Sequence, residues 1–293
     1  MDLGSTLVEV LGGLSVAATL FLVAAGLTLI FGALRIMNIA HGSFYMYGAY
    51  LSAALMDKAL ASGLGFVVAI LVAPLLVAAL AALLEVLVMR RIYAREHLTQ
   101  LLATYAVFLI LADLALRLWG ADLRSVDPPR FLAGHLSILG HGFPDYSVFV
   151  TLVALGVGLG LWLLLGRTRL GWQVRAAMDD PELLAVQGVN VRLIVTVMFT
   201  LASGLAGFAG AVVAPQISLS PGLDANVLVE AFIVAVIGGL GSVVGAAIGA
   251  VLIGLLEALG VVFLPSWSSA VIYLAMIAVL LIRPWGLLGS REG

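Results

Sequence analysis

The sequence predicts an all-α, polytopic membrane protein, a bundle of hydrophobic helices that includes discontinuous or re-entrant short ones. Of its 293 residues, 63% are hydrophobic and only 10% are charged, whereas a soluble domain carries roughly 25% charged residues. Several apolar runs reach the roughly 20 residues that a helix needs to cross a bilayer. Apolar and polar residues do not alternate as they do in membrane β-barrels. The lipid bilayer is therefore the predicted environment of a single domain, residues 1–293.

These apolar runs are predicted to be helices, because lipid offers the backbone no hydrogen-bonding partner. Nine runs are found, with approximate limits Leu7–Phe31, Phe44–Met56, Leu64–Met89, Leu98–Leu118, Ser147–Leu165, Leu193–Ala214, Val227–Ile237, Val243–Phe263 and Ser269–Ile282. They predict nine crossings, or eight if one of the short runs is re-entrant.

Two runs, Phe44–Met56 and Val227–Ile237, are too short to cross alone. The residues AHGS precede the first, and GGLGS follows the second. Discontinuous helices of this kind line solute pathways, and a purely structural kink is the alternative. The candidate path residues are Asn38, His41, Gly42, Ser43, Tyr47, Glu230, Gly238, Gly239, Gly241 and Ser242.

The distribution of basic residues predicts the orientation, because cytoplasmic loops carry the excess of Lys and Arg. With the N-terminus outside and the C-terminus inside, the cytoplasmic side receives Arg35, Arg90, Arg91, Arg95, Arg167, Arg169, Arg175, Arg192, Arg283 and Arg291. The outer side receives only Lys58, Arg117, Arg124 and Arg130. Residues 119–146 then form an outer loop, which is a docking surface or a solvated connector, and residues 166–192 form a cytoplasmic loop.

The cytoplasmic loop predicts one short amphipathic helix. Asp180 followed by Pro181 is typical of a helix start, and Gly188 with Asn190 is typical of a helix end. Such a helix lies passively among lipid headgroups or binds a partner protein, and the residues alone leave both possibilities open.

The two sides of this helix are predicted to differ in polarity. Ala177, Leu184 and Val186 can share one side, and the side chains that stay in water are Arg175, Asp179, Asp180 and Glu182.

The sequence lacks the residues for several kinds of site. Its single lysine, Lys58, follows Asp57 rather than a glycine-rich loop, so no phosphate-binding loop is present. If transport is driven by ATP, the ATPase is another polypeptide. There is no cysteine, the four histidines lack zinc-site spacing, and no basic stripe suits nucleic acid. We therefore expect no cofactor, metal or nucleic acid on this chain.

Two charged pairs are predicted within or beside the apolar runs. Asp113 and Arg117 stand four residues apart, which suits an ion pair on a helix. Glu85 lies near the inner end of its run, from which it can reach the basic cluster that begins at Arg90.

Two further carboxylates need separate interpretations because charges inside a membrane are costly. Glu230 is predicted at the start of a short helix, where the helix N-terminus favours a carboxylate; the alternative is that it faces a solute path. Glu257 is predicted to face the bundle interior, either in a packing hydrogen bond or as a proton relay.

Four segments resemble the permease subunits of branched-chain amino acid ABC importers. They are NIAHGSFYMYGAY, RLGWQVRAAMDDPELLAVQGVN, EAFIVAVIGGLGSVVGAAIGAVLIGLLEAL and the closing RPWGLLG. They occur in the family's order and spacing, and the resemblance extends from about residue 7 to residue 289.

The resemblance implies an inner-membrane permease, not an enzyme, that works with a second related permease, two cytoplasmic ATPases that bind ATP and Mg²⁺, and an extracytoplasmic solute-binding protein. It also implies that the cytoplasmic helix is the coupling helix that contacts an ATPase, with residues Arg175, Ala177, Asp180, Glu182, Leu184 and Gly188. Ser43 stands where many relatives have a glutamate, and Glu230 where relatives often have a basic or neutral residue. The solute therefore stays open among branched-chain amino acids, urea, short amides and organic acids.

Other functions make different predictions. A proton- or sodium-coupled transporter using Glu230, Glu257 or Asp113 would take up solute without ATP. A passive channel would conduct in both directions without control by a partner. A membrane enzyme is the least favoured alternative, because no nucleophile, acid and base are grouped in the sequence.

Overall fold

The computed structural model describes residues 3–34, 36–59 and 63–289, and it confirms a helical bundle. The helices are α1 Leu3–Leu34, α2 His41–Ala59, α3 Gly63–Leu84, α4 Arg90–Ile92, α5 His97–Trp119, α6 Asp145–Arg167, α7 Arg169–Asp179, α8 Pro181–Val186, α9 Val191–Val213, α10 Leu223–Gly238, α11 Val243–Phe263 and α12 Ser268–Ile282. A π-helical turn, Glu85–Met89, joins α3 to α4. Two short strands, β1 His135–Ile138 and β2 His141–Pro144, form a hairpin.

Six of these helical segments are long and apolar enough to cross a membrane. They are Gly4–Ala33, Leu64–Ile92, His97–Trp119, Asp145–Arg167, Val191–Gln216 and Val243–Phe263. Helices α10 and α12 are shorter, with 16 and 15 residues. The number of crossings and the orientation stay predictions, and Arg35 and Arg291, which support that orientation, lie outside the described residues. The side of the membrane that holds α7 and α8 is called the inner side below.

Helix α9 lies at the centre of the bundle, and glycines bring its neighbours close. A Cβ on Gly210 would overlap the carbonyl oxygen of Tyr45 in α2, and one on Gly48 would overlap the carbonyl oxygen of Gly207. A Cβ on Gly204 would lie 3.2 Å from the Ala78 side chain of α3. Helices in lipid associate through such close backbone packing. The glycines in GLAGFAG therefore serve helix packing.

Helix α2 begins inside the membrane rather than at its surface. The ring nitrogen Nε2 of His41, the first residue of α2, lies 3.2 Å from the carbonyl oxygen of Val23 in α1. Val23 lies 11 residues before the end of α1 at Leu34, which is about 16 Å along a helix. Residues 36–40 therefore turn back into the bundle. The sequence placed His41, Gly42 and Ser43 in the break, and this was wrong, because they form the first turn of α2.

The cytoplasmic loop forms two helices, α7 and α8, where one was predicted. The carboxylate of Asp180 accepts a hydrogen bond from the Leu183 N–H at 2.9 Å and starts α8, as predicted. Gly188 has a left-handed φ of 84° after its end. Asn190 does not end this helix but caps the next one, because its side chain accepts a hydrogen bond from the Leu193 N–H at 3.1 Å.

The prediction that Ala177, Leu184 and Val186 share one apolar side of a single helix was also wrong. Ala177 belongs to α7, and the break at Asp180 separates it from α8. In α8, Leu184 is 6% exposed whereas Val186 is 85% exposed. The two side chains therefore do not share a buried side.

Part of the outer loop, for which the sequence predicted no regular structure in particular, is the β1–β2 hairpin. Leu139 and Gly140 form its turn with φ of 49° and 86°, a pair of positive values that suits tight hairpins. Arg124 exchanges backbone hydrogen bonds of 3.0 and 2.8 Å with Leu219. This pairing joins the outer loop to the segment between α9 and α10.

We predict that Gly210→Ala will lower the melting temperature of the detergent-solubilised protein, because the added methyl group forces α2 away from α9. Such overpacking costs about 1–3 kcal/mol. Gly160→Ala in α6 is the matched control, because a Cβ there meets nothing within 4 Å. The prediction is contradicted if both variants have the same melting temperature as the wild type in a fluorescence-detected thermal assay.

Candidate functional site

Two helices begin side by side within the membrane. The first turn of α10 lies against the first turn of α2, where a Cβ on Gly42 would overlap the carbonyl oxygen of Asp224. The Ser43 hydroxyl donates a hydrogen bond of 3.3 Å to Oδ2 of Asp224. Helix N-termini leave N–H groups without helical partners and carry partial positive charge. A carboxylate between two such ends is therefore well placed electrostatically.

Asp224 is the central side chain of this contact, although the sequence analysis did not select it. It is 1% exposed, and its Oδ1 also accepts a hydrogen bond of 3.0 Å from the Ala225 N–H. The predicted acidic residue at this helix start was Glu230, and that was wrong because α10 begins at Leu223, seven residues earlier. The signal was present in Pro221, Gly222 and Asp224, a helix-start pattern.

Asn38 and His41 hold the break before α2. The side-chain oxygen of Asn38 accepts a hydrogen bond of 3.1 Å from the Ala40 N–H. The backbone carbonyl oxygen of Asn38 accepts another of 3.1 Å from the His41 N–H. Thr104 of α5 lies with its hydroxyl 3.4 Å from the Met37 carbonyl oxygen. Irregular backbone at membrane depth is tolerated where it is buried in protein in this way.

Tyr47 links α2 to α5. Its hydroxyl donates a hydrogen bond of 3.0 Å to the Leu111 carbonyl oxygen, and its ring meets Trp119 edge-on with centroids 5.5 Å apart. A cavity of about 220 Å³ opens beside this contact and beside the start of α10. Met46, Tyr50 and Gly222 are among its lining residues.

The second predicted break lies at the other end of α10. Gly239 and Gly241 have left-handed φ angles of 104° and 91°, which glycine adopts without strain. The Ser242 hydroxyl accepts a hydrogen bond of 3.0 Å from the Gly245 N–H and starts α11. A Cβ on Gly238 would overlap the backbone of Gly245, so α10 and α11 turn tightly against each other.

The closing segment after α12 completes this end. The N–H groups of Leu287 and Leu288 donate hydrogen bonds of 2.8 and 3.0 Å to the carbonyl oxygens of Ile237 and Gly238. These are carbonyls that the end of a helix leaves without helical partners. The RPWGLLG motif therefore acts as a strap across the inner end of α10.

The predicted path residues thus form two groups joined by α10, not one cluster. Asn38, His41, Ser43 and Tyr47 lie near the start of α10 and are 0–5% exposed. The glycines and Ser242 lie at its end. In the described chain the first group contacts neighbouring helices, and its part in the solute path stays a prediction.

Glu230 lies apart from both groups, on the exposed face of α10. Ala225, Asn226 and Val229 share that face, at the spacing of one side of a helix. A carboxylate that faces lipid is costly. This face is therefore expected to meet water or protein, in contrast to α6, whose exposed Leu152, Leu155 and Leu159 suit lipid.

The predicted charged pairs are confirmed. Arg117 Nε lies 2.8 Å from Asp113 Oδ2 in an exposed pair. Arg90 Nη2 lies 3.0 Å from Oε2 of the fully buried Glu85. Glu257 is half-buried, and its orientation toward the bundle interior stays a prediction.

Comparison with known proteins identifies the family. The model of a family described as branched-chain amino acid transport system, permease component, matches residues 9–280. The chain belongs to this family. As a permease with six helices suited to crossing a bilayer, it is an integral inner-membrane protein and a non-enzymatic component of an ABC transporter. Its ATPase and solute-binding protein are separate components.

Several relatives match along nearly their whole length. The high-affinity branched-chain amino acid permease protein BraD of Pseudomonas aeruginosa is 28% identical over 97% of this chain and 96% of its own. LivH of Escherichia coli is 27% identical over the same shares. The fructose import permease FrcC of Rhizobium meliloti is 31% identical but over only 50% of this chain and 42% of its own.

A solved structure shares the fold. PsaBC from Streptococcus pneumoniae, in complex with Fab, aligns with a TM-score of 0.52 over 92% of this chain and 89% of that chain. The sequence identity is 14%, so the likeness concerns the fold alone.

We predict that the Ser43→Ala and Asp224→Asn substitutions will destabilise the protein non-additively, because both disturb one buried contact. Hydrogen bonds between membrane helices couple by about 0.6 kcal/mol on average and up to about 1.7 kcal/mol. A double-mutant cycle on unfolding free energies measures the coupling. Additive effects of the two substitutions would refute the contact.

Proposed function

We propose that the permease carries branched-chain amino acids or a chemically similar small solute, and that the exposed face of α10 lines its path. The observation that carries this proposal is the polar face formed by Asn226 and Glu230 on a discontinuous helix. Discontinuous helices recur at the solute sites of transporters. The full-length similarity to permeases named for branched-chain amino acids supports the solute class.

The exposed face of α10 can form only one wall of a path, because no other part of the described chain covers it. We therefore propose that a second, related permease faces it and completes the path. The buried residues near Asp224 and the strap at the inner end hold the two ends of α10. They would position the lining helix rather than bind solute themselves.

The ATPase is proposed to bind α7 and α8, and to bind ATP and Mg²⁺ itself. These helices carry the exposed apolar side chains Trp172, Leu183 and Val186, which are 67%, 56% and 85% exposed. Arg175 packs over the Trp172 ring at 5.3 Å, and Glu182 stays exposed beside them. An apolar centre with a polar rim is the usual composition of a protein interface. Two ATPases, one for each permease, would follow from the paired arrangement.

Reconstitution in proteoliposomes tests the transport function. The chain is assembled with its ATPase, its binding protein and a second permease. Proteoliposomes with this complex are expected to accumulate radiolabelled leucine only when ATP is supplied on the side of the membrane that holds the ATPase. Uptake by the isolated chain under a proton or sodium gradient would instead support a secondary transporter, which no comparison supports. Leucine flux without ATP in both directions would indicate a channel.

We predict that cysteines on the exposed face of α10 will be accessible to water-soluble thiol reagents. The chain has no cysteine of its own, so the Asn226→Cys and Glu230→Cys variants each carry one thiol. Both are expected to react with a charged methanethiosulfonate in assembled transporters. Leu155→Cys, at the exposed apolar face of α6, is the control that should stay unlabelled. Equal labelling at all three positions, or none, would reject the proposed path.

We predict that Leu183→Glu with Val186→Glu will abolish co-purification of the ATPase, because two charges would be buried in the apolar interface. Leu123→Glu is the matched control, since Leu123 is 74% exposed in the outer loop. The control should bring down as much ATPase as the wild type. Retention of the ATPase by the double variant would show that it binds elsewhere.

A further inference from the structure

The inner end of α3 carries a charged cluster around one buried carboxylate, and the transport path does not use it. Glu85 is 0% exposed, and Arg90 binds it with Nη2 at 3.0 Å from Oε2 and Nε at 3.5 Å from Oε1. Thr196 of α9 joins them: its hydroxyl lies 2.8 Å from Glu85 Oε2 and accepts a hydrogen bond of 2.7 Å from Arg90 Nη2. These three residues are called the clamp.

The clamp exists because the helix is π-helical at this point. Residues five apart are about 140° apart around an α-helix, so Glu85 and Arg90 would not face each other. Here the Arg90 N–H donates to the Glu85 carbonyl oxygen five residues earlier, and the wider turn brings the two side chains together. π-Turns are rare and occur frequently at functional sites.

A purely stabilising role explains the clamp poorly. Moving a charge such as Glu85 out of water costs free energy, so an ion pair of this kind is often no better for stability than apolar residues of similar volume; here Glu85 is buried and the Arg90 side chain is 38% exposed. What it does provide is a directional link, because removal of one partner leaves a buried charge without compensation. A sliding movement of α3 against α9 would break the contacts with Thr196.

The position of the clamp connects it to the proposed ATPase contact. Helix α8 ends at Val186 and α9 begins at Val191, so only residues 187–190 separate the docking helices from α9. Thr196 lies in the second turn of α9. Farther along, α9 packs tightly against α3 at Gly204 and against α2 at Gly207 and Gly210.

We propose that the Glu85–Arg90–Thr196 clamp makes the inner end of α3 move together with α9 when the ATPase displaces α7 and α8. The inference rests on the proposed function. The three residues are positioning residues, because they set how far a movement at the ATPase contact reaches α2 and α3. Loosening the clamp therefore lowers the amount of solute transported per ATP hydrolysed and does not block the path.

The test compares three threonine variants in the fully assembled, reconstituted transporter. Thr196→Val removes the hydroxyl at nearly constant shape, Thr196→Ser restores it, and Thr151→Val is the matched control. Thr151 of α6 makes the same local bond to the carbonyl four residues earlier, 2.8 Å to Ser147 against 2.9 Å from Thr196 to Arg192. It has no part in the clamp. Leucine uptake, ATP hydrolysis and melting temperature are measured for each variant.

Thr196→Val is expected to lower the leucine transported per ATP hydrolysed by about twofold or more, while Thr196→Ser and Thr151→Val keep the wild-type ratio. Glu85→Gln, which keeps the acceptor oxygen but loses the charge, is a second variant expected to lower the ratio. If Thr196→Val and Glu85→Gln both lower the melting temperature but leave the leucine transported per ATP unchanged, the inference is overturned and the clamp is only structural. Absence of ATP-driven uptake by the wild type overturns the proposed function and this inference with it.

Discussion

Backbone N–H and C=O groups in a membrane need partners within the protein, and this requirement governs the part of the molecule where α2 and α10 begin. Both helices start near the depth of Val23, about a third of the way along α1 from its inner end, and not at a membrane surface where water would serve them. Asp224 meets part of this requirement, because its buried carboxylate accepts a hydrogen bond from the Ala225 N–H of α10 and another from the Ser43 hydroxyl of α2. Asn38 and Thr104 serve the irregular segment beside them.

The same requirement acts at the opposite end of α10. The helix stops at Gly238, and the carbonyls it leaves unpaired accept hydrogen bonds from Leu287 and Leu288 of the closing strap. Helix α10 is thus held at both ends by contacts that are not part of a continuous helix. Between these ends its exposed face carries Asn226 and Glu230, which are poorly suited to lipid. A helix that is fixed at two breaks and polar between them is well built to line a path and to shift as a unit.

Helix α9 connects this region to the inner side. It receives the chain directly from α8, meets the clamp at Thr196, and packs through glycine contacts against α2 and α3. Displacement of α7 and α8 would therefore reach the start of α2, and with it Asp224, through backbone contacts that leave little room for compression. The clamp adds α3 to that movement. Coupling in this permease would depend on close packing together with one buried charge, rather than on a chain of titratable groups.

The sequence by itself determined the features that depend on local composition and spacing. The membrane bundle, the limits of the long helices, the start of α8 at Asp180 and the Asp113–Arg117 pair are decided by apolar length, helix-start residues or four-residue spacing. The helices were predictable because lipid permits few backbone structures. Tertiary structure alone decided that His41 begins α2 and that Glu230 faces outward, since the depth of a break depends on the elements that pack around it. It also decided the Glu85–Arg90 geometry. The basic cluster made that contact predictable, but the π-turn that allows it, and the bond to Thr196 at a separation of 111 residues, arise only when α3 and α9 pack together.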